Sequence, residues 1–213
     1  MYMKKIRIVI LLIIVASFLA GFYLYPYMPE KIASHWNIQG DVDGYMSKFW
    51  GLFLMPIISL AMFLLFLFIP KIDPMKENIK KFREYFDIFI LLLIVFFLYI
   101  YILTILWSFG WRFNMSQLIA PAMGVIFFYA GELIGKSKRN WSIGIRTPWT
   151  LSSEAVWDKT HKLGAKLFKI SGAIALLGFI FPDIAFYFVL IPVMFSAIYS
   201  FLYSYLEYQK EKN

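Results

Sequence analysis

The stretch Lys136–His161 reads KSKRNWSIGIRTPWTLSSEAVWDKTH and lies between two long apolar runs. It holds three of the chain's seven tryptophans, Trp141, Trp149 and Trp157, among Lys136, Lys138, Arg139, Arg146 and Lys159. A solvated linker is rich in Gly, Ser and charge and poor in aromatics. Rings mixed with cations mark a segment lying in the headgroup region of a membrane, where both are at home. Local chemistry gives the stretch fixed points. Gly144 permits a turn, and Pro148 holds Thr147 extended. Ser152 or Ser153 can cap a short helix, with Glu154 in its favourable first turn. The three tryptophans read as an interfacial belt or as a partner surface. Arg146, bracketed by Gly144 and Pro148, reads either as a structural pin or as a binding contact.

The flanking composition sets the class. Hydrophobic residues make up 61% of the 213, aromatics 21% and charged residues 16%, against about 25% charge in a soluble domain. Six apolar runs follow one another: Ile6–Tyr25, Trp50–Ile69, Ile88–Phe109, Leu118–Ile134, Lys166–Phe181 and Ile184–Tyr205. Most reach the roughly 20 residues that span a bilayer core as a helix. The fifth is the weakest, with Lys166 and Lys169 in its first turns, at one end, where they can snorkel. The first is too long for a signal-peptide core and no small-residue cleavage site follows it, so it reads as a retained anchor. With no cysteine, disulfides, thiol chemistry and Cys-based metal sites are excluded. The net charge of +8 flanks apolar segments, which makes it a topology signal and argues against direct nucleic-acid binding.

Orientation follows from those charges. With an inside N-terminus and six alternating spans, eighteen Lys and Arg fall inside and only Lys31, Lys48 and Arg112 outside. The positive-inside rule then places both termini and the Trp-rich loop in the cytoplasm. The first outside loop, Tyr25–Lys48, reads YPYMPEKIASHWNIQGDVDGYMSK. Pro26 and Pro29 stop the first helix, and Gly40 and Gly44 mark turns. His35, Trp36 and Asn37 are adjacent and Tyr45 follows the turn, so the loop is expected to fold back on the outer membrane surface. His35 reads as a ligand, a pH sensor or a loop residue bonded to nearby backbone. Asp41 and Asp43 before Gly44 have the look of a calcium-loop start, but the third acidic position and the closing Glu are missing, so no metal is assigned.

These two islands carry a family resemblance. In the first loop, Pro29, Ile32, His35, Trp36, Asn37, Gly40, Asp43, Gly44, Tyr45, Ser47 and Lys48 resemble the domain of unknown function numbered 1648. In the second, Asn140, Gly144, Ile145, Arg146, Thr147, Pro148, Trp149, Thr150, Leu151, Trp157, Thr160, His161 and Gly164 resemble the SdpI family signature, with GIRTPWTL the most specific run. The resemblance divides the chain into a 1–70 region with the first two spans and the outer loop, a 71–117 cytoplasmic loop with the third span, and a 118–205 SdpI-like region. It implies a multi-pass membrane protein that gives immunity to a secreted toxic peptide. In members that also signal, it implies capture of a cytoplasmic autorepressor at the membrane. Membrane lipids are the remaining partners. On this resemblance the inner functional residues are Asn140, Gly144, Arg146, Thr147, Pro148, Trp149, Trp157 and His161. The outer ones are His35, Trp36, Asn37, Gly40, Asp43 and Tyr45.

Two absences rank other functions lower. Asp87, Glu132 and Asp183 lie at the ends of spans, whereas ion-coupled carriers keep an ionisable group near the midplane. No internal repeat of broken helices is visible. A small-solute or lipid carrier is therefore the second reading and a structural membrane subunit the third. No nucleophile elbow, phosphate-cradling loop or paired-acid motif is present, so no catalytic residue and no cofactor is assigned. Gly124, Gly131 and Gly135 on the fourth span and Ser171, Gly172, Ala173 and Ala175 on the fifth predict close packing of these two spans. Val156, Thr160, Leu163 and Leu167 form one stripe running into the fifth span. The expectation is an all-α membrane protein of about six spans with a cytoplasmic interfacial amphipathic helix.

Overall fold

The computed structural model describes residues 2–212. The first apolar run becomes α1, Tyr2–Leu24, which a single 3-10 turn over Tyr25–Tyr27 closes at Pro26. Then come strands β1, Lys31–Trp36, and β2, Val42–Ser47, and the long helix α2, Lys48–Ile72. A short helix α3, Lys76–Lys80, precedes α4, Arg83–Ser108, and α5, Met115–Lys136. The Trp-rich stretch contributes α6, Pro148–Ser152, and α7, Glu154–Ala175; α8, Ala185–Lys212, follows last. Successive long helices reverse direction. The start of α1, the end of α8 and the 136–153 segment therefore share one end of the bundle, and the strands lie at the other.

Among the described residues, five helices are long and apolar enough to cross a membrane: those over 4–27, 48–72, 83–108, 115–136 and 182–212. Their outer faces carry the apolar side chains that such a medium requires, among them Leu19, Phe22, Phe68, Ile191 and Leu202, all more than half exposed. The fifth apolar run, Lys166–Phe181, is not an independent element. It is the later part of α7 continued by a 3-10 turn over Leu176–Phe179. The amphipathic stripe and the fifth run are thus one helix, and its lysines keep it out of the strongly apolar group.

The expected pairing of small residues holds. A side chain at Gly124 would strike the Gly172 carbonyl, and one at Gly131 would strike the Ala165 carbonyl. Gln117 at the start of α5 donates to the Phe179 carbonyl at 2.8 Å. Residue numbers that meet across the interface sum to a near-constant value, so α5 and the part of α7 from Ala165 onward run antiparallel. Two further clusters bind the first half. Ile6, Ile10 and Ile14 of α1 pack on Phe86, Ile90 and Ile94 of α4, and Leu52, Phe53, Tyr101 and Ile32 close the hairpin end.

The loop between α1 and α2 is more regular than its sequence suggests. Strands β1 and β2 form an antiparallel hairpin, with Lys31 opposite Ser47 and Trp36 opposite Val42 and register shifts around His35. Ile32 and Ala33 on β1 are both buried, so the hairpin is covered on both faces at this point. The turn is an Asn-centred one. Asn37 accepts from the Asp41 amide through its side chain at 2.9 Å, and its own amide donates to the Asp41 carbonyl at 2.8 Å.

Candidate functional site

The 136–161 stretch folds as a compact knot across the end of the bundle. Its centre is Asn140, which is fully buried. Its amide nitrogen donates to the carbonyls of Lys138 at 2.7 Å and Ile143 at 2.9 Å. Its carbonyl oxygen accepts from the amides of Ser142 at 2.9 Å and Ile143 at 2.7 Å. An Asn side chain has two donors and room for two acceptors' worth of lone pairs, so this one is saturated. It acts as a template around which the backbone turns.

His161 and Trp157 form the next layer. The two rings stack at 3.8 Å between centroids, and Trp157 is fully buried with its indole N–H on the Ser137 carbonyl at 3.2 Å. The Ile145 amide donates to His161 Nε2 at 3.0 Å. That fixes the tautomer: Nε2 accepts, so Nδ1 carries the proton and donates to the Trp157 carbonyl, 2.8 Å away. Burial pushes the His161 pKa down to about 4 from 6.5, and the Trp157 carbonyl opposes the shift only in part. His161 is a neutral structural group. Gly144 bends over it with φ at +114°, and a Cβ there would lie 2.5 Å from Nε2.

The GIRTPWTL run then caps α6. Thr147 is extended, with φ −112° and ψ 162°, as Pro148 requires. Thr147 and Thr150 cap each other reciprocally: Thr147 Oγ1 accepts from the Thr150 amide, and Thr150 Oγ1 accepts from the Thr147 amide. Thr147 Oγ1 also meets Ser204 Oγ of α8 at 3.0 Å. Trp149 packs on Phe201 and Tyr205. Ser153, one of the two serines expected to cap, accepts from the Val156 amide to start α7.

The knot is anchored to the other half of the chain through residues the motif does not contain. The buried carboxylate of Asp73, just past α2, accepts from the Trp141 amide at 3.0 Å, from Ser142 Oγ and from the Met75 amide at 2.7 Å. Asn78 Nδ2 donates to the Arg139 carbonyl at 2.8 Å. Sequence reasoning missed both. The only local signal for Asp73 is its place before Pro74 at a helix end, which reads as an ordinary turn.

The expected roles therefore divide. Trp157 is not part of an interfacial belt, because its ring is wholly inside the knot. Trp141 is 54% exposed, and Trp149 lies between α6 and α8. Arg146 is exposed, and among the described residues its guanidinium makes one bond, from Nη1 to the Trp141 carbonyl at 2.9 Å. Arg146 and Trp141 are thus among the exposed side chains of the knot.

At the opposite end, the hairpin roofs a cavity of about 750 Å³. His35, Trp36, Asn37 and Asp43 line it from the hairpin, Met115, Ser116 and Met123 from α5, and Phe186 and Val189 from α8. His35 Nδ1 is paired with the Asp43 carboxylate. Trp36 stands edge-on to Trp107, and its buried indole N–H has no acceptor among the described residues. Gly40, with φ at +88°, lets the turn press against Asn114, whose Nδ2 donates to the Gln39 carbonyl at 2.8 Å. Tyr45 points away, 62% exposed. The two expected groups of residues thus sit at opposite ends of the bundle and share no site. Among the described residues, no three His, Asp or Glu side chains come together as a metal site would need.

A bundle with lipid-facing apolar helices, a structured hairpin at one end and a polar knot at the other defines a multi-pass membrane protein. Residues 136–204 match the model of the SdpI/YfhL protein family, and residues 12–60 match a domain of unknown function, DUF1648. The chain is thus similar to the SdpI/YfhL family over its last third. It is 29% identical over 209 residues to the Immunity protein SdpI of Bacillus subtilis (strain 168), covering 98% of both chains. No solved structure matches it.

Proposed function

We propose that the chain protects the cell membrane in which it lies against a secreted toxic peptide. The observation that carries this reading is the end-to-end similarity to an immunity protein, which takes in the hairpin, the knot and every helix between them. The chain crosses the membrane six times on this reading, with the later part of α7, from Lys166, and its 3-10 continuation as the fifth pass. The antiparallel packing of the later part of α7 on α5 supports that count. Both ends of the chain and the knot face the cytoplasm and the hairpin faces outward, in line with the eighteen-to-three split of positive residues.

The cavity under the hairpin is where the peptide is met. It combines polar groups on the hairpin side, His35, Asn37 and Asp43, with the apolar walls Met115, Met123 and Phe186. Amphiphilic peptides need both kinds of surface. The knot, rigid inside and presenting Arg146 and Trp141, supplies a surface for a cytoplasmic autorepressor.

The test is survival. A sensitive strain expressing the chain is challenged with culture filtrate of the organism that encodes it. Protection relative to empty vector is expected. Equal killing with the protein present in the membrane rejects the reading. Orientation is checked in the same cells by single cysteines, since the chain has none. Ser34→Cys should react with an impermeant thiol reagent in intact cells and Ser152→Cys only after lysis; the reverse pattern inverts the topology.

A further inference from the structure

At the knot end, α7 and α8 enclose a cleft of about 350 Å³ lined by Lys159, Lys162, Leu163, Lys166, Tyr203 and Glu207. The three lysines stand at i, i+3 and i+7, on one face of α7. The only acid in the lining is already neutralised. Glu207, with 6% of its side chain exposed, accepts from Lys159 Nζ at 2.8 Å and Lys210 Nζ at 2.6 Å. Lys162 and Lys166 are exposed and have no acid within ion-pair distance among the described residues. Lys159 and Lys210 thus hold the one carboxylate between them, and Lys162 and Lys166 share the cleft unpaired among the described residues. A concave site with surplus positive charge and the Tyr203 hydroxyl as a further donor is suited to a phosphate.

The neighbouring surface narrows the source of that phosphate. Ile170, one turn beyond Lys166 on α7, is 56% exposed, and on α8 Phe201, Leu202 and Leu206 are 48%, 52% and 54% exposed. These side chains belong to the lipid-facing surface. An anion held by Lys162 and Lys166 therefore has apolar surface within one turn on both helices. Free phosphate uses the lysines alone, whereas a phospholipid uses the lysines and the apolar flank together.

We propose that this cleft binds the phosphate headgroup of an anionic membrane lipid, with its acyl chains lying along Ile170 and Leu202. The site is separate from the hairpin cavity and does not depend on the protective reading. Juxtamembrane lysines recognise anionic headgroups by this chemistry, each adding a modest and separable increment.

The test uses the full-length protein in neutral detergent. Its thermal unfolding midpoint is titrated with phosphatidylglycerol, phosphatidylcholine and glycerol 3-phosphate. Phosphatidylglycerol should raise the midpoint saturably, and the other two should not. The double change Lys162→Gln/Lys166→Gln should raise the half-saturating phosphatidylglycerol concentration roughly thirtyfold, each titration being read from its own lipid-free baseline. The control Lys4→Gln/Lys5→Gln removes two exposed charges from the same end of the bundle and should shift it less than twofold. The proposal is overturned by no phosphatidylglycerol effect, by an equal shift in the control, or by no shift in the Lys162/Lys166 variant. An equal response to phosphatidylcholine removes the headgroup selectivity and also overturns it. Glycerol 3-phosphate reproducing the effect would make the ligand a soluble phosphate and overturn the lipid assignment.

Discussion

Replacing Asn140 with alanine should unlatch the knot without disturbing the helices. The side chain makes four bonds to backbone groups, at 2.7 to 2.9 Å. Two of them serve the amide and carbonyl of Ile143, which is only 7% exposed and cannot turn to solvent. The other two serve Ser142 and Lys138, nearer the surface, where water can take over. Leaving a buried backbone group unpaired costs about 1–3 kcal/mol and losing a replaceable bond about 0.5–1.5 kcal/mol. Relaxation of the turn recovers part of that, so about 3 kcal/mol is expected for the whole change, or roughly a hundredfold in the opening equilibrium. The assay exploits the absence of cysteine. Ser137→Cys places a near-isosteric thiol at a position 4% exposed, and its labelling rate in the folded protein reports local opening. The rate should rise roughly a hundredfold when Asn140→Ala is added. A rise of less than threefold would refute the claim that Asn140 is the template of this turn.

Other changes probe the remaining layers. His161 is held neutral with its pKa near 4 against 6.5 when unfolded, so below pH 6.5 the unfolded chain takes up a proton the folded one refuses. Stability from this group is full above pH 6.5 and falls as pH drops towards 4, by about 3 kcal/mol in all; unfolding midpoints of His161→Gln across that range should lose this part of the slope. Gly144→Ala should sharply reduce accumulation in the membrane, since its backbone is left-handed and its Cβ would meet His161. Gly172→Leu should part α5 from α7, because even a Cβ there lies 2.5 Å from the Gly124 carbonyl; reduced accumulation and melting would be measured together. Arg146→Lys keeps one donor for the Trp141 carbonyl and should accumulate normally, and a selective loss of signalling or protection would mark a binding role. Lys138→Gln is the control that should do neither.

How far the sequence could be read depended on the range of each interaction. The backbone rules of Gly144 and Pro148, the Ser153 cap and the small-residue match of α5 with α7 are local or periodic, and each appears as expected. The hairpin was harder: its strands are six residues each, KIASHW and VDGYMS, and carry little β-branched character to announce them. Trp157 was misplaced because the interfacial preference of Trp is a statement about averages, whereas this ring is enclosed by Gly144 and His161. Asp73 was invisible for a different reason. Its partners Trp141 and Ser142 lie 68 and 69 positions away, and no local pattern reports a contact that far along the chain. The end-to-end placement of the two motifs likewise follows from helix packing and not from either motif alone.

The most direct measurement is the peptide dose that kills half of the cells expressing each of three forms. Met123→Trp fills the cavity under the hairpin, which Met123 lines. Leu12→Trp adds the same bulk to the apolar groove between α1 and α4. At equal accumulation in the membrane, the wild-type chain and Leu12→Trp should protect alike, and Met123→Trp should fall towards empty vector. Full protection by Met123→Trp would contradict the assignment of the cavity as the place where the peptide is met.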